Sequence, residues 1–267
     1  MKNDATNFPR LHTVNLAPGV PMSFCYIPAC PEGFWMGSRY GRPNEQPVHR
    51  VVISEGFWMG QTPVTQRQYA LFRSEHRNHF SGNPDHPAES MTWDESVAFC
   101  EWLSERLRSS DEYPEGMGFV RLPWEAEWEY ACRGGTQSDY HSGDGESALR
   151  RAGWYDGNSN NSTHAVGRKS NNAYGLYDMH GNVLEWCMDR WDKGAYRQRV
   201  DGITTAETFQ LAEQHGSPTV RVLRGGSWIV TAEDCRAACR FWVRADLSFR
   251  DYGLRACLVP SPIEPAV

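Results

Sequence analysis

The sequence predicts an α+β fold of short mixed strands, two to three helices and much irregular loop. Three observations carry that prediction. The chain of 267 residues is 40% hydrophobic and 12% aromatic, too apolar for a disordered chain and rich enough for a packed core. Its 24 glycines and 16 prolines exceed the usual share, so turns and loops are abundant. Its apolar runs are short and end at turn residues, and helix start signals stand at a few places only.

Phe34-Trp35-Met36-Gly37 and Phe57-Trp58-Met59-Gly60 are aromatic runs closed by glycine, and Val48–Ser54 is a β-branched run; all three read as strands. Thr65 with Gln68, and Thr92 with Glu95, form capping-box patterns before apolar residues, so a helix starts after each threonine. Arg121–Gly135 reads as a third helix, with Pro123 at its first turn and Gly134-Gly135 beyond its last. From Gly134 to Tyr174 the chain is rich in Gly, Ser, Asn and Asp and reads as loop. Strands resume around Val220–Leu223 and Leu254–Leu258.

Charge and motifs exclude several functions. The net charge of −6 supplies no basic field, so neither nucleic acid nor an anionic membrane is an expected partner. No run of 18 apolar residues occurs and the first residues lack the apolar core of a signal peptide, which predicts a cytoplasmic protein. The absence of repeats and linkers predicts a single domain over 1–267, with an N-terminal extension over 1–20. The eight cysteines are scattered without a CxxC pair, so free thiols are expected and zinc is not. No GxGxxG, P-loop, HExxH or GxSxG is present.

Four segments together carry a resemblance. They are Phe34–Ser38, Arg121–Ala131, Gly175–Trp186 and Arg224-Gly225-Gly226-Ser227-Trp228. In this order and spacing, from about Phe24 to Leu258, the chain resembles the formylglycine-generating enzyme (sulfatase-modifying factor) family. The resemblance implies a C-type-lectin-like fold, and fold alone does not assign function.

Oxidase members of that family bind copper(I) through two cysteines, which fall here at Val230 and Cys235. Valine offers no sulfur, so no copper is expected and an enzyme is disfavoured. Cys239 could substitute, which keeps a copper-dependent oxidase acting on a sulfatase cysteine as the alternative function; Cys235 as a small buried hydrophobe is the plainer reading. Iron-dependent relatives use histidines of a separate helical domain, and none of the nine histidines here forms an HxxxH pair. Relatives also bind calcium where this chain has Asp178–Glu185, which implies Ca2+ ligation by Asp178, the Gly181 and Val183 carbonyls, and Glu185. Equally, Asp178 could cap the turn while Glu185 pairs with an arginine. A second calcium site looks lost at Asn158.

The window 223–258 is the most informative. It keeps the family frame Cys235-Arg236-Ala237-Ala238, Asp246 and Gly253-Leu254-Arg255. Its filling differs: many non-oxidase relatives fill this window with Asn and other small polar residues, and Ile229, Val230, Asp234, Cys239, Phe241, Val243, Leu247, Ser248, Phe249 and Asp251 occupy positions where Asn would be unremarkable. This resembles the variable proteins of diversity-generating retroelements, which randomise Asn codons in such a C-terminal region. Randomising the first two bases of AAC excludes Trp, Lys, Glu, Gln and Met, and none occurs among the ten. The resemblance implies a ligand-binding module that uses these ten residues on a protein or other macromolecular ligand. Phe241 and Phe249 lean to the surface because alternation is missing around them, whereas Trp242 reads as core. A sensor domain serving a partner effector is a third reading.

Overall fold

The computed structural model describes residues 11–109, 117–198, 204–205 and 219–260. In chain order the strands are β1 (Leu11–Ala17), β2 (Val20–Ile27), β3 (Cys30–Met36), β4 (His49–Ile53), β5 (Phe57–Gly60) and β6 (Met117–Arg121). They continue with β7 (Leu184–Arg190), β8 (Thr204–Thr205), β9 (Val220–Arg224), β10 (Phe241–Arg244), β11 (Tyr252–Gly253) and β12 (Cys257–Pro260). The helices are α1 (Gln66–Tyr69), α2 (Trp93–Arg108), α3 (Glu125–Arg133), α4 (Glu146–Ala152) and α5 (Ala195–Gln198). Three curled sheets result, ordered β1-β2-β5-β12-β6, β10-β9-β7-β11 and β3-β4-β8. The α+β prediction holds.

Both threonine capping boxes form. Thr65 and Thr92 each accept the backbone N–H three residues on, while the Gln68 and Glu95 side chains accept from the threonine backbones. α1 then runs for only four residues, and its first N–H groups, which have no partner within the helix, tie it to the next loop: Gln66 N–H donates to the His86 carbonyl and Arg67 N–H to the Pro84 carbonyl. α3 begins later than expected. Pro123 precedes the helix, Trp124 is its N-cap, and Gly134 closes it at φ +53°.

Two expectations are corrected. Residues 11–17 and 20 belong to the β1–β2 hairpin at the edge of the five-stranded sheet, with Val14 and Leu16 buried, so they are no extension. Residues 1–10 lie outside the described residues. The predicted loop from Gly134 to Tyr174 contains α4, whose Ala148 and Leu149 are buried against Tyr140, Tyr155 and Cys235.

α3 positions everything else. All nine of its residues are buried, although four of them are charged. Isolated charges could not sit there, because each would forfeit its hydration. The sequence supplies partners from the helix itself, from the strands before it and far along the chain, and from the residue before β10: Glu127 pairs with Arg121, Glu129 with Arg133 and Arg224, and Glu125 with Arg224 and Arg240. Two apolar clusters form the core: one gathers Trp128 of α3 with Met36, Val51 and Met179, and the other gathers Phe24, Trp58 and Trp186 from the strands with Phe99 and Leu103 of α2.

Candidate ligand-binding face

The C-terminal window is held by anchors that leave the side chains of its segment 246–250 outside. Gly225 and Gly226 turn the chain out of β9 at φ +98° and +73°, and a Cβ on Gly226 would lie 2.5 Å from Cys235 Sγ. Only glycine satisfies both the left-handed backbone and that close approach. Asn182 and Ser159 then fix the next residue, since the Trp228 N–H donates to the Asn182 carbonyl (3.0 Å) and the Ser159 hydroxyl donates to the Trp228 carbonyl (2.7 Å). Arg224 donates to the Ala237 carbonyl (2.7 Å), and Arg240 donates to the Asn44 carbonyl (2.9 Å) and both oxygens of Glu125 (2.6 and 2.7 Å). His180 completes the support: its Nδ1 lies 2.8 Å from the Cys235 carbonyl, and its Nε2 accepts the His141 N–H at 3.1 Å. That pairing requires the Nδ1–H tautomer, and burial holds the imidazole neutral, with its pKa lowered to about 3.

The segment after β10 is pinned in the same way. The Trp93 N–H, an orphan donor at the start of α2, binds the Ala245 carbonyl (3.0 Å). The Ser90 N–H donates to the Phe249 carbonyl (3.2 Å), and Ser90 itself stands at φ +66°, a backbone conformation costly for a residue with a Cβ. The Asp251 carbonyl accepts from the Leu184 N–H (2.8 Å) and its carboxylate from Ser227 Oγ (2.7 Å). Between these anchors every residue from Asp246 to Arg250 is exposed.

A hollow of about 710 Å³ opens beside this segment, within the range of roughly 300–1,000 Å³ usual for ligand sites. Six of the ten predicted residues line it: Ile229, Val230, Phe241, Ser248, Phe249 and Asp251. Phe249 is 56% exposed, Ile229 40% and Leu247 37%, while Val230, Phe241 and Val243 are half-buried. His79, Ser90, Leu184, Arg250 and Tyr252 also line the hollow and were not singled out from sequence.

Several expectations fail here. Cys239 is fully buried, 3.7 Å from Arg42 Nη1, and Asp234 is ion-paired to Arg42 away from the hollow. Asp251 touches the hollow but is 7% exposed and serves as an anchor. Asp246, expected in the frame, is exposed and pairs with Arg244. Trp242 is the reverse case: it is 51% exposed and stacks on Trp191 at 4.3 Å with 12° between planes. β10 does alternate, Phe241 and Val243 inward and Trp242 and Arg244 outward, but with large apolar groups on both faces the period was hidden.

The metal expectations meet the same geometry. Both Glu185 oxygens accept from Arg255, at 2.7 to 3.1 Å, and one also from Trp128 Nε1 at 2.6 Å. Its charge is spent on the arginine, so Glu185 does not fit the calcium role, and the arginine-pairing reading holds for it. Asp178 is buried with Oδ2 accepting the Gly167 N–H at 2.7 Å and Oδ1 without a hydrogen bond; desolvation raises its pKa to about 6. Gly181 and Val183 contribute backbone to the tight turn, where a Cβ on Gly181 would overlap the Trp154 carbonyl. Copper fits no better: Cys235 is enclosed by Tyr140, Leu149 and Tyr155, burial pushes its thiol well up and that of Cys239 to about 12, and neither lines the hollow beside Val230. Among the described residues no group of three or more His, Cys, Asp or Glu is placed to hold a metal, and no helix is long and apolar enough to cross a membrane.

The family of the sulfatase-modifying factor enzyme 1-like domain matches residues 29–259. The chain belongs to that family. The formylglycine-generating enzyme of Mycobacterium tuberculosis is 31% identical over 291 residues, covering 85% of this chain and 95% of that protein. The serine/threonine-protein kinase pkn1 of Chlamydia pneumoniae is 28% identical over 247 residues, which cover 83% of this chain; the chain spans 36% of the length of that relative. Among solved structures, Treponema denticola variable protein 1 superposes with a TM-score of 0.79 at 26% identity, over 95% of this chain and 100% of that one.

Proposed function

We propose that the chain is a ligand-binding module, a variable protein of a diversity-generating retroelement, that presents Ile229, Val230, Phe241, Val243, Leu247, Ser248 and Phe249 to a protein or other macromolecular ligand. The observation that carries this reading is the contrast in the segment 245–251, where the backbone is anchored at both ends while five consecutive side chains face solvent. A fixed main chain with free side chains lets one fold present many surfaces. Exposed Phe249, Ile229 and Leu247 add an apolar patch of the kind that marks interaction sites. The likeness to a variable protein supports the same reading, and the loss of the sulfur pair at Val230 and Cys235 weighs against the oxidase alternative. Cys239, Asp234 and Asp251 drop out of the contact set on grounds of burial and pairing.

The test is genetic. The DNA beside the gene is expected to encode a reverse transcriptase and a second copy of the C-terminal segment, with AAC codons at the variable positions. A neighbourhood without either element would remove the reading.

A further inference from the structure

The hollow combines an apolar wall with an exposed cation on its rim. Arg250 is exposed, its guanidinium carbon 5.2 Å from the centre of the Trp228 ring, and among the described residues it makes no ion pair. The carboxylates near it are engaged by other groups. Asp246 is held by Arg244 at 3.0 Å, and Asp251, which has Arg250 among its neighbouring charges, is buried and accepts from Ser227 Oγ at 2.7 Å, its pKa raised by burial. His79, stacked edge-on against Phe80 at 4.7 Å, adds an exposed imidazole to the same rim. A rim cation on a chain of net charge −6 is a local inversion of the surface.

The apolar contacts extend past the hollow. Phe249, Ile229, Val230 and Phe241 line it, whereas exposed Leu247 lies on the same segment outside it. A small acid would touch the hollow alone; a polypeptide would cover both.

Resting on the binding reading above, we infer that the ligand is a polypeptide segment that seats an apolar side chain against Phe249 and Ile229 and sets an adjacent carboxylate on Arg250. The apolar residue supplies most of the affinity, as buried aromatic anchors do, and the carboxylate supplies register and selectivity.

The full chain is panned against a displayed library of random dodecapeptides, and recovered sequences are synthesised. Peptides carrying Asp or Glu within two residues of Phe, Trp, Leu or Ile are expected. R250Q weakens such a peptide about fivefold, the upper end for an exposed ion pair. R250K stays within about twofold, and R250E selects Lys or Arg in place of the acid when panned itself. F249A and L247A both weaken binding, and raised salt acts like R250Q. Unchanged melting temperatures show that the variants fold. Enrichment of apolar peptides without an acidic residue, or an acidic preference that survives R250E, overturns this inference and leaves the binding reading intact. Binding indifferent to L247A and matched by phenylacetate alone overturns the polypeptide assignment. Recovery of no peptide by the chain or any variant overturns this inference and leaves the binding reading to its genetic test.

Discussion

Replacing Glu125 with glutamine tests the ionic layer beneath the variable face. The Glu125 carboxylate accepts from Arg240 at 2.6 and 2.7 Å and from Arg224 at 3.1 Å, and all three side chains are at most 1% exposed. The amide of glutamine keeps the shape but removes the charge. Arg224 retains Glu129 at 2.5 Å; Arg240 keeps only the Asn44 carbonyl and the faces of Trp191 and Tyr196. Stranding one buried charge costs about 3–5 kcal/mol. At about 2–4 °C per kcal/mol for a chain of this size, the melting temperature falls by about 6–20 °C in calorimetry. The double variant E125Q/R240M removes the stranded cation as well, and its stability returns to within about 2 kcal/mol of the parent because no unpaired buried charge remains at the site. A loss below about 1 kcal/mol in E125Q would refute the claim that this pair carries the layer, and a double variant weaker than E125Q would refute the stranded-charge mechanism.

Acid titration separates two buried groups of opposite sign. His180 has a pKa lowered to about 3, below its unfolded value of 6.5, so the native state binds fewer protons and stability falls as pH drops; about 2 kcal/mol is lost between pH 6.5 and 5, and H180Q flattens that slope in melts across the range. Asp178 is raised from 3.8 to about 6, so the native state binds more protons and stability falls as pH rises from about 4 to 6. D178N accordingly gains up to about 3 kcal/mol at pH 7.5 and nothing at pH 3.5, measured by urea unfolding; a loss at pH 7.5 that calcium alone produces in the parent's favour would restore Asp178 as a metal ligand. In a library randomised with NNC codons, positions 229, 247, 248 and 249 accept most residues within about 0.5 kcal/mol, whereas 239 and 251 reject most, read as soluble expression against sequence. Equal tolerance at 249 and 251 would contradict the division between display and anchor.

How much of this was legible follows from where each signal lies in the chain. β4 and β5 were readable because β-branched or aromatic runs end in turn residues, and α1 and α2 because a capping box is complete within four residues. α4 escaped because its N-cap is Gly145 without a side-chain cap, in a stretch whose composition reads as loop. The support of the face was invisible for a different reason. Arg240 meets Glu125 across 115 residues, His180 meets Cys235 across 55, and Trp242 meets Trp191 far from it in sequence, so no local pattern announces them. The same distance explains the misplacement of Asp234 and Cys239, whose fate is set by Arg42, nearly 200 residues earlier.

The anchors also explain how the fold separates stability from recognition. Apolar burial at Trp228, Ala237 and Leu254, the buried ion pair of Arg255 with Glu185, the glycine pair at 225 and 226, and the charges of α3 hold the main chain of the window without using a single side chain from 246 to 250. Changing those five side chains therefore leaves the buried network and its hydrogen bonds untouched, and surface changes of that kind cost little. Phe241 and Val243 stand between the two regimes: each packs partly against the core on β10, so each can vary only among residues that fill similar space. Under the binding function proposed above, such a surface is expected to gain selectivity from the tip around Phe249 and constancy from the β10 residues beside it, with the most sequence-dependent contacts at 246–250 rather than at the strand.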